Sequence, residues 1–323
     1  MKILTCFFCL ANFILCLPIS AQFAPAAGIS GSTAIKADSS CFVSWATQCT
    51  LKRGLKQINL ADSGYANVGI SEFSLGEAAQ NGVVSLGDRG IAILGFDSPI
   101  FDGEGFDFAV FENAFSDSFL ELAFVEVSSD SIHWQRFPAE SLNPTKKQTP
   151  SFGFSHATKI HNLAGKYRHP FGTPFDLADL PKVDAINTNN IRFIKIIDVV
   201  GCVDSLWGSR DRYGRMINDP WPTNFGSSGF DLDAVGVIHQ LATLSQEKIT
   251  ENPRPPYFNT TKQVLVSSNL KRQKLSVYSS MGLLLFERFI PSGIQSTSIN
   301  LPVGIYIIKM GTYTIQILLT SNF

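Results

Sequence analysis

Short apolar runs rich in β-branched and aromatic residues recur along this chain, and clusters of Gly, Asp, Asn, Ser and Pro separate them. Such runs are typical of β-strands, because branched and aromatic side chains pack well on a pleated surface. Helical periodicity is weak, and only residues 175–180 suggest a helical turn, with Asp176 as its N-cap. The pattern predicts an all-β protein whose main region is an antiparallel sandwich. The clearest strand runs cover residues 90–96, 106–111, 120–127, 191–200 and 230–238.

The composition argues against nucleic acids and anionic membranes as partners, and it is apolar enough for a large core. The 323 residues carry a formal net charge of −1, so we expect no basic surface for nucleic acids or anionic membranes. The 26 phenylalanines give the chain ample apolar area to bury. A main domain over residues 22–240 is large for one sandwich, although all-β domains reach this size. The long stretches between its strands, such as residues 138–182, are therefore expected to be ordered loops that carry function.

The first residues have the pattern of a secretion signal. A positively charged start precedes an apolar run over residues 4–17, and the small residues Ser20 and Ala21 follow. This pattern predicts a signal peptide over residues 1–21 that is cut before Gln22. The alternative is a membrane anchor, which the shortness of the run disfavours because a spanning helix needs about 20 apolar residues. No membrane span is expected in the mature chain.

Three cysteines remain after removal of the signal peptide: Cys41, Cys49 and Cys202. A disulfide between Cys41 and Cys49 is favoured, because the two are close in sequence and an exported protein meets an oxidising compartment. A bridge between Cys49 and Cys202 stays open. The chain has no C-x-x-C pair, so the sequence gives no sign of a zinc knuckle or a thioredoxin-type site.

The C-terminal part of the chain is patterned separately. Residues 241–256 lose the strand pattern and contain three prolines, which predicts a stiff linker. Residues 257–323 contain short β-type runs, a Tyr-Ser-Ser-Met-Gly turn at 278–282 and a Leu-Pro-Val-Gly-Ile-Tyr segment at 301–306. This stretch resembles the C-terminal sorting domain of the bacterial type IX secretion system. The resemblance implies a small Ig-like β-sandwich, the type IX machinery as a partner, and a protein that works at the cell surface or outside the cell.

Two segments of the main region resemble a known sandwich. Residues 125–134 read Val-Glu-Val-Ser-Ser-Asp-Ser-Ile-His-Trp, and residues 192–198 read Arg-Phe-Ile-Lys-Ile-Ile-Asp. Both are similar to strands of discoidin and galactose-binding-like modules, which implies a galactose-binding-like or jelly-roll sandwich. A fold of this kind does not define a function. The region is also similar to a family of bacterial cell-surface proteins of poorly defined function, on segments 105–113, 162–167, 172–177, 218–222 and 229–236.

Two groups of carboxylates are candidate metal ligands. Asp102, Glu104 and Asp107 lie close together on a loop broken by glycines, and Asp231 and Asp233 alternate along a predicted strand. Alternate residues of a strand share one face, and carboxylate and carbonyl oxygens are the ligands that Ca²⁺ prefers. Calcium is therefore the candidate cofactor. The alternative is that these acids cap turns and bind backbone N–H groups, as Asp commonly does in loops.

An aromatic and basic segment over residues 205–228 is the candidate ligand site. Trp207 and Tyr213 would offer ring faces for stacking, and Arg210 and Arg212 would supply forked hydrogen-bond donors. A sugar or another ring-shaped ligand needs this combination. Trp221, between two prolines, is expected instead to plug the end of the sandwich, because Trp is usually substantially buried.

Taken together, these features favour a secreted cell-surface binding protein. The ligand would be a glycan or another nutrient, a corrinoid being one candidate, captured by loops at the end of the sandwich. The chain has no G-x-S-x-G elbow and no phosphate-binding glycine loop, so no catalytic residue is assigned. A glycan hydrolase that uses Asp107, Glu112 or Asp231 is one alternative, and a structural or adhesive protein without a small ligand is another.

The proposed sorting role predicts the fate of a truncated protein. Deleting residues 257–323 should leave the main domain folded but stranded in the periplasm, since a proline linker separates two independently patterned units. Cell fractionation and protease shaving of intact cells, with the full-length chain as control, measure this. Normal surface display of the truncated protein would contradict the sorting role.

Overall fold

A computed structural model describes two compact units, one within residues 1–242 and the other within residues 243–323. The expected signal peptide and nearly all of the expected linker lie outside the described residues. No helix in the described part of the chain is long and apolar enough to cross a membrane. The described residues are 23–241, 256–260, 263–269 and 272–320.

The regular elements of the first unit are strands and single turns of 3₁₀ helix. The strands are β1 (Ile35–Lys36), β2 (Ser44–Trp45), β3 (Gln48–Lys52), β4 (Val84–Ser85), β5 (Ile91–Ile100), β6 (Phe108–Glu112), β7 (Ala123–Ser128), β8 (Gln135–Arg136), β9 (Glu140–Ser141), β10 (Ile160–His161), β11 (Phe171–Phe175), β12 (Ile191–Asp198) and β13 (Asp231–Val237). The 3₁₀ turns cover Ala61–Ser63, Ser71–Ser74, Ala157–Lys159, Leu177–Asp179 and Thr188–Asn190.

Two antiparallel sheets form a sandwich in this unit. The first sheet has the order β1-β11-β6-β13-β2, with β4 also paired to β13, and the second has the order β3-β5-β12-β7-β8. Strands β9 and β10 pair separately. The inner faces of the sheets meet in one core, where Leu94 and Ile194 of the second sheet join Phe108 and Val235 of the first. Packing of two sheets face to face defines a β-sandwich, so the all-β prediction is confirmed.

The five predicted runs correspond to β5, β6, β7, β12 and β13, with ends that shift by a few residues. The predicted helical turn is also present, as Leu177–Asp179. Its N-cap is Asp176, whose carboxylate accepts a hydrogen bond of 2.9 Å from the backbone N–H of Ala178. Local capping and strand propensity therefore act in this fold as the sequence indicates.

Aromatic packing explains why the chain carries so many phenylalanines. Phe108, Phe137 and Phe175 are almost fully buried, and the centroids of their rings lie 5.0–5.9 Å apart. Full burial of one such ring stabilises the fold by about 1.5–3 kcal/mol. A second apolar cluster, which includes Ile160 and Tyr167, lies under the long stretch between β9 and β11. That cluster is why this stretch is an ordered part of the unit, as expected.

The second unit is a small sandwich of its own. Its strands are β14 (Tyr257–Asn259), β15 (Val264–Asn269), β16 (Gln273–Ser279), β17 (Leu284–Ile290), β18 (Gly293–Ser298), β19 (Gly304–Met310) and β20 (Tyr313–Leu319). They form a three-stranded sheet, β14-β15-β18, and a four-stranded sheet, β17-β16-β19-β20. Leu265 of the first sheet and Val277, Ile308 and Ile317 of the second share one core. The expected small Ig-like sandwich is thus confirmed as a fold.

The two sequence signatures of this unit occupy turns. Gly282 closes the turn after β16 with a backbone hydrogen bond of 3.0 Å to the carbonyl of Ser279, and its φ of +84° favours glycine. The segment 301–306 leads into β19, where the hydroxyl of Tyr306 donates to the carbonyl of Pro302 at 3.0 Å. The tyrosine therefore holds the start of the hairpin in place.

The preferred disulfide is wrong. All three described cysteines are free thiols. Cys41 lies in the turn before β2, which belongs to the first sheet, whereas Cys49 lies on β3 of the second sheet and packs against the main core. Cys202 is buried beside Trp221 in a separate cluster, so the alternative bridge to Cys49 is not formed either. Closeness in sequence misled the prediction, because the chain changes sheets between residues 41 and 49.

Candidate functional site

Three loops of the first unit bring phenylalanine rings together in a row. Phe115 and Phe119 follow β6, Phe152 lies between β9 and β10, and Phe225 precedes β13. Neighbouring ring centroids are separated by 4.8, 6.1 and 5.8 Å in that order, and neighbouring planes are within 24° of parallel. We call these four residues the phenylalanine ladder. The ladder is a continuous set of stacked aromatic rings built from distant parts of the sequence.

The phenylalanine ladder faces solvent. Phe115 is 75% exposed, Phe152 is 69% exposed and Phe225 is 39% exposed, while Phe119 is half-buried between its neighbours. Phe154, on the same loop as Phe152, is also largely exposed. Isolated exposed apolar residues are normal, but clustered ones mark sites of interaction in soluble proteins. The ladder is therefore the candidate ligand surface of this unit.

Backbone hydrogen bonds fix the loops that carry the ladder. The N–H of Ser155 donates to the carbonyl of Ser118 at 2.7 Å, which ties the second loop to the first. The N–H of Trp221 donates to the carbonyl of Thr149 at 3.0 Å, which ties the third loop to the second. Loops held in this way lose little conformational entropy when a ligand binds, so the surface is preorganised.

Trp221 anchors the third loop from inside. It is buried against Val200 and Cys202, and its indole N–H donates to Oδ2 of Asp88 at 3.1 Å. The predicted burial of Trp221 is confirmed, in a small apolar cluster separate from the main core. The same loop thus directs Trp221 into the core and Phe225 to the surface.

Of the predicted ligand residues, which all lie in the described part of the chain, only Arg212 and Tyr213 contact each other. Arg212 makes an ion pair with Glu140 at 2.5 Å, and its guanidinium lies 4.6 Å from the ring centroid of Tyr213. Arg210 donates to the carbonyl of Gly214 at 2.8 Å. Both arginines therefore already have protein partners, that of Arg212 on β9 and that of Arg210 within its own loop, although the ring of Tyr213 is exposed.

Trp207 lies apart from this group. It is half-buried and packs against the cluster around Trp221, and its carbonyl accepts a hydrogen bond of 2.7 Å from the guanidinium of Arg89. The structure therefore brings Arg212 and Tyr213 together but does not add the ring of Trp207 to them. Phe115, Phe119 and Phe152 were missed, because only their common loop location, and no spacing, connects them in the sequence.

The first group of predicted metal ligands is only partly assembled. Oxygens of Asp102, Asp107 and Asp176 lie within 4.8 Å of one another, whereas Glu104 is exposed and outside this group. The buried Asp107 accepts hydrogen bonds from three donors. These are the N–H of Gly103 at 2.8 Å, the N–H of Leu177 at 2.7 Å and Nδ1 of His239 at 2.8 Å. Such contacts are those of a carboxylate that caps turns.

The second group, Asp231 and Asp233 on β13, also accepts hydrogen bonds from donors of the protein. Asp231 accepts hydrogen bonds from the hydroxyl of Ser85 and from the side chain of Asn113. Both oxygens of Asp233 accept from the N–H of Ala79, at 3.1 and 2.9 Å. The two carboxylates thus bind different donors, and neither joins Asp102 and Asp107 within coordination distance.

The acids considered for hydrolysis are covered by the fold. Asp107, Glu112 and Asp231 are all buried. Burial raises the pKa of Glu112 well above its usual range, and the nearby Asp231 raises it further. A glycoside hydrolase needs two carboxylates that reach the substrate from either side of the scissile bond. These three side chains do not face an open surface, so their geometry does not favour that reaction.

Apart from the phenylalanine ladder, a groove lies at the edge of the first sheet. It has a volume of about 680 Å³, and the rings of Trp45 and Phe73 line it together with Ser44, Ala46, Thr47, Glu72, Leu75, Gly76 and Asn81. The buried hydroxyl of Ser44 has no hydrogen-bond partner among the described residues. Ligand pockets commonly have a volume of about 300–1,000 Å³, so this groove is an independent place to test.

Comparisons with known proteins leave the family open. No known protein family matches the chain, and no curated protein matches it. The solved structures that match include the apo β-glucuronidase from Ruminococcus gnavus, at 10% identity and a TM-score of 0.21, covering 86% of this chain and 44% of that one. The same enzyme with D-glucaro 1,5-lactone has 10% identity, a TM-score of 0.22 and coverages of 92% and 47%. A β-glucuronidase from Lactobacillus rhamnosus has 11% identity, a TM-score of 0.17 and coverages of 72% and 36%.

The chain thus spans less than half the length of these enzymes. TM-scores of 0.17–0.22 carry no argument about what this protein binds or does.

The turn-capping role of Asp107 predicts a loss of stability. Asp107→Ala should lower the free energy of unfolding by about 2–5 kcal/mol, because the backbone N–H groups of Gly103 and Leu177 lose their acceptor. Glu104→Ala, at an exposed neighbouring position, is the matched control and should change little. Urea unfolding with and without a chelator measures both. A chelator that destabilises the wild type but not Asp107→Ala would instead identify Asp107 as a cation ligand.

The buried Asp231 predicts a dependence of stability on pH. Burial raises its pKa to about 6, against an ordinary value of 3.8 in an unfolded chain. Between pH 4 and pH 6 the native state keeps a proton that the unfolded state has released. The free energy of unfolding should therefore fall as pH rises through this window, by up to about 3 kcal/mol from this group. Asp231→Asn should flatten the profile, and the exposed Asp62→Asn should not.

Urea unfolding at pH 4, 5, 6 and 7 in the presence of a chelator measures this profile. Identical slopes for wild type and Asp231→Asn would show that Asp231 does not hold a proton in the native state near pH 5.

Proposed function

We propose that this protein is a secreted cell-surface binding protein that captures a glycan or another ring-shaped nutrient. The phenylalanine ladder carries the proposal, because it is a solvent-facing aromatic cluster on preorganised loops of a rigid sandwich. Export is inferred from the signal-like start over residues 1–21 and from the resemblance of residues 257–323 to type IX sorting domains. The type IX machinery would then deliver the binding domain to the cell surface.

The chemistry of the ladder suits ligands that present flat or apolar faces. Aromatic rings stack on other rings and on the C–H faces of sugars, and a row of nearly parallel rings extends this contact. Phenylalanine has no polar atom, so polar groups at the margin must orient the ligand. Asp117, on the loop that carries Phe115 and Phe119, forms an ion pair of 2.9 Å with the half-buried Arg168, and Asn224 is exposed next to Phe225. These side chains would recognise hydroxyl or amide groups.

The exposed ring of Tyr213 is proposed as a secondary contact. Guanidinium groups of Arg212 and Arg215 lie 4.6 and 4.8 Å from its centroid and hold it in one orientation. Both arginines are also paired with Glu140, so few of their donors are free for a ligand. The proposal therefore gives the main role to the ladder and a minor one to the predicted residues Trp207, Arg210, Arg212 and Tyr213.

The proposal predicts which substitution weakens binding. Binding of the full-length protein to a glycan array and to a corrinoid such as cobalamin identifies the ligand. Phe152→Ala should then weaken its affinity roughly ten- to a hundredfold, as loss of a stacked ring typically does. Because the ring of Phe152 is exposed, the melting temperature should stay close to that of the wild type.

Two control variants separate the alternatives. Phe73→Ala removes an exposed ring from the groove at the sheet edge, and Tyr213→Ala removes the predicted ring. Wild-type affinity in Phe152→Ala, together with loss in Phe73→Ala or Tyr213→Ala, would move the site away from the ladder. Failure of the wild type to bind any member of a broad array would favour the structural or adhesive role.

A further inference from the structure

Four carboxylates that the sequence did not single out converge inside the first unit. Asp88, Glu121, Asp198 and Asp219 line a cavity of about 10 Å³, large enough for one water-sized sphere, beside the indole of Trp221. All four acids are buried. We call this space the carboxylate cavity. Its members come from distant parts of the chain, which hid the group from sequence reasoning.

Hydrogen-bond donors of the protein hold the three aspartates in place. Oδ2 of Asp88 accepts from the N–H of Ile58 at 2.7 Å and from the indole of Trp221. Each of the other two aspartates accepts one or more backbone N–H groups. Asp198 accepts those of Phe230 at 2.7 Å and Arg89 at 3.0 Å, and Asp219 accepts that of Leu122 at 3.0 Å. The aspartates are thus oriented before anything enters the cavity.

Two glycines let the backbone approach these aspartates. A β-carbon on Gly201 would lie 1.5 Å from Oδ1 of Asp219, and one on Gly229 would lie 2.6 Å from Oδ1 of Asp198. Both distances are far shorter than a van der Waals contact. The close approach of backbone and carboxylate is therefore built into the chain at two independent positions.

Glu121 differs from the aspartates because it has no donor. It lines the carboxylate cavity, is only 8% exposed, and makes no hydrogen bond or ion pair with any of the described residues. The groups that act on it electrostatically are all acids: Glu112, Asp231, Asp219 and Asp198. Burial and these neighbours raise its pKa well above the usual range. A buried carboxylate in such surroundings needs a proton or a cation for compensation.

The protein itself supplies little positive charge here. Among the described residues, Lys166 is the only buried cationic side chain, and its ammonium lies 5.4 Å from the ring centroid of Tyr167. Lys166 is not one of the groups that act on Glu121. Arg89 acts on Asp88, but its guanidinium donates to the carbonyl of Trp207. Four acids thus face one cavity with a single distant guanidinium to offset them.

We propose that the carboxylate cavity binds a divalent cation of the Ca²⁺ class, with Glu121 as its principal ligand. The donor set is oxygen only, which suits hard cations and not zinc or copper. Of the described acids, only Asp102, Asp107 and Asp176 bring three carboxylate oxygens within 4.8 Å. A cation here would therefore bind Glu121 with one of the aspartates, and water or backbone carbonyls would complete its shell.

Terbium luminescence tests the proposal without knowledge of any ligand. Tb³⁺ replaces Ca²⁺ at oxygen sites and emits when a nearby indole transfers excitation energy, and Trp221 lines this cavity. Full-length protein stripped with a chelator should show saturable Tb³⁺ emission that Ca²⁺ displaces. Glu121→Gln should weaken Tb³⁺ binding by at least about tenfold, because it removes the ligand charge. Asp102→Asn, in the other acidic group, should leave Tb³⁺ binding unchanged.

A melting experiment gives the second readout. Added Ca²⁺ should raise the melting temperature of the chelated wild type, since a ligand of the native state stabilises it, and should have no effect on Glu121→Gln. Glu121→Gln removes a buried charge and should fold, and Asp219→Asn serves if it does not. Equal Tb³⁺ binding by wild type and Glu121→Gln, loss of binding in Asp102→Asn, or no effect of Ca²⁺ on the wild type would overturn the proposal.

The cation site and the phenylalanine ladder are tested separately. Phe152→Ala should bind Tb³⁺ as the wild type does, because its exposed ring lies outside the carboxylate cavity. Absence of Tb³⁺ binding would therefore leave the proposed ligand surface untouched. Absence of ligand binding would likewise leave the cation site untouched.

Discussion

A carboxyl group can be buried only where hydrogen-bond donors, a proton or a cation compensate for its lost hydration, and the first unit of this protein depends on that constraint. Asp107 binds the loop before β6, the 3₁₀ turn after β11 and the residue His239 that follows β13. Asp198, at the end of β12, binds the segments that lead into β5 and β13. Each of these two acids therefore joins pieces of chain that are distant in sequence. Long loops with few regular elements become parts of one rigid body in this way.

The rigidity explains how flat aromatic rings can remain stacked at a surface. Free loops would let Phe115 and Phe152 turn inward or bury each other, since exposed apolar area is unfavourable in water. Hydrogen bonds between the loops, and the burial of Trp221 below them, prevent that collapse. The exposed rings themselves cost stability, because their apolar area stays in water.

Local features of the fold could be predicted from the sequence, and long-range ones could not. Strand propensity located β12 and β13, and capping chemistry located Asp176, because these signals act over a few residues. The disulfide prediction failed because pairing depends on which sheet each cysteine joins. The stacking of Phe152 with Phe119 and Phe225, and the meeting of Glu121 with Asp219, depend on contacts between residues distant in sequence, which no local spacing encodes.

The difference between Asp107 and Glu121 shows that burial alone does not decide whether an acid needs a compensating charge from outside the protein. Both are buried acids, but Asp107 has three donors and Glu121 has none, so only Glu121 calls for an external positive charge. The loop that contains Asp219 and Trp221 also presents Phe225 at the surface. Compensation of charge inside the carboxylate cavity therefore acts on the same segment that forms one end of the ladder. A single loop thus contributes both to the electrostatics of the interior and to the candidate binding surface.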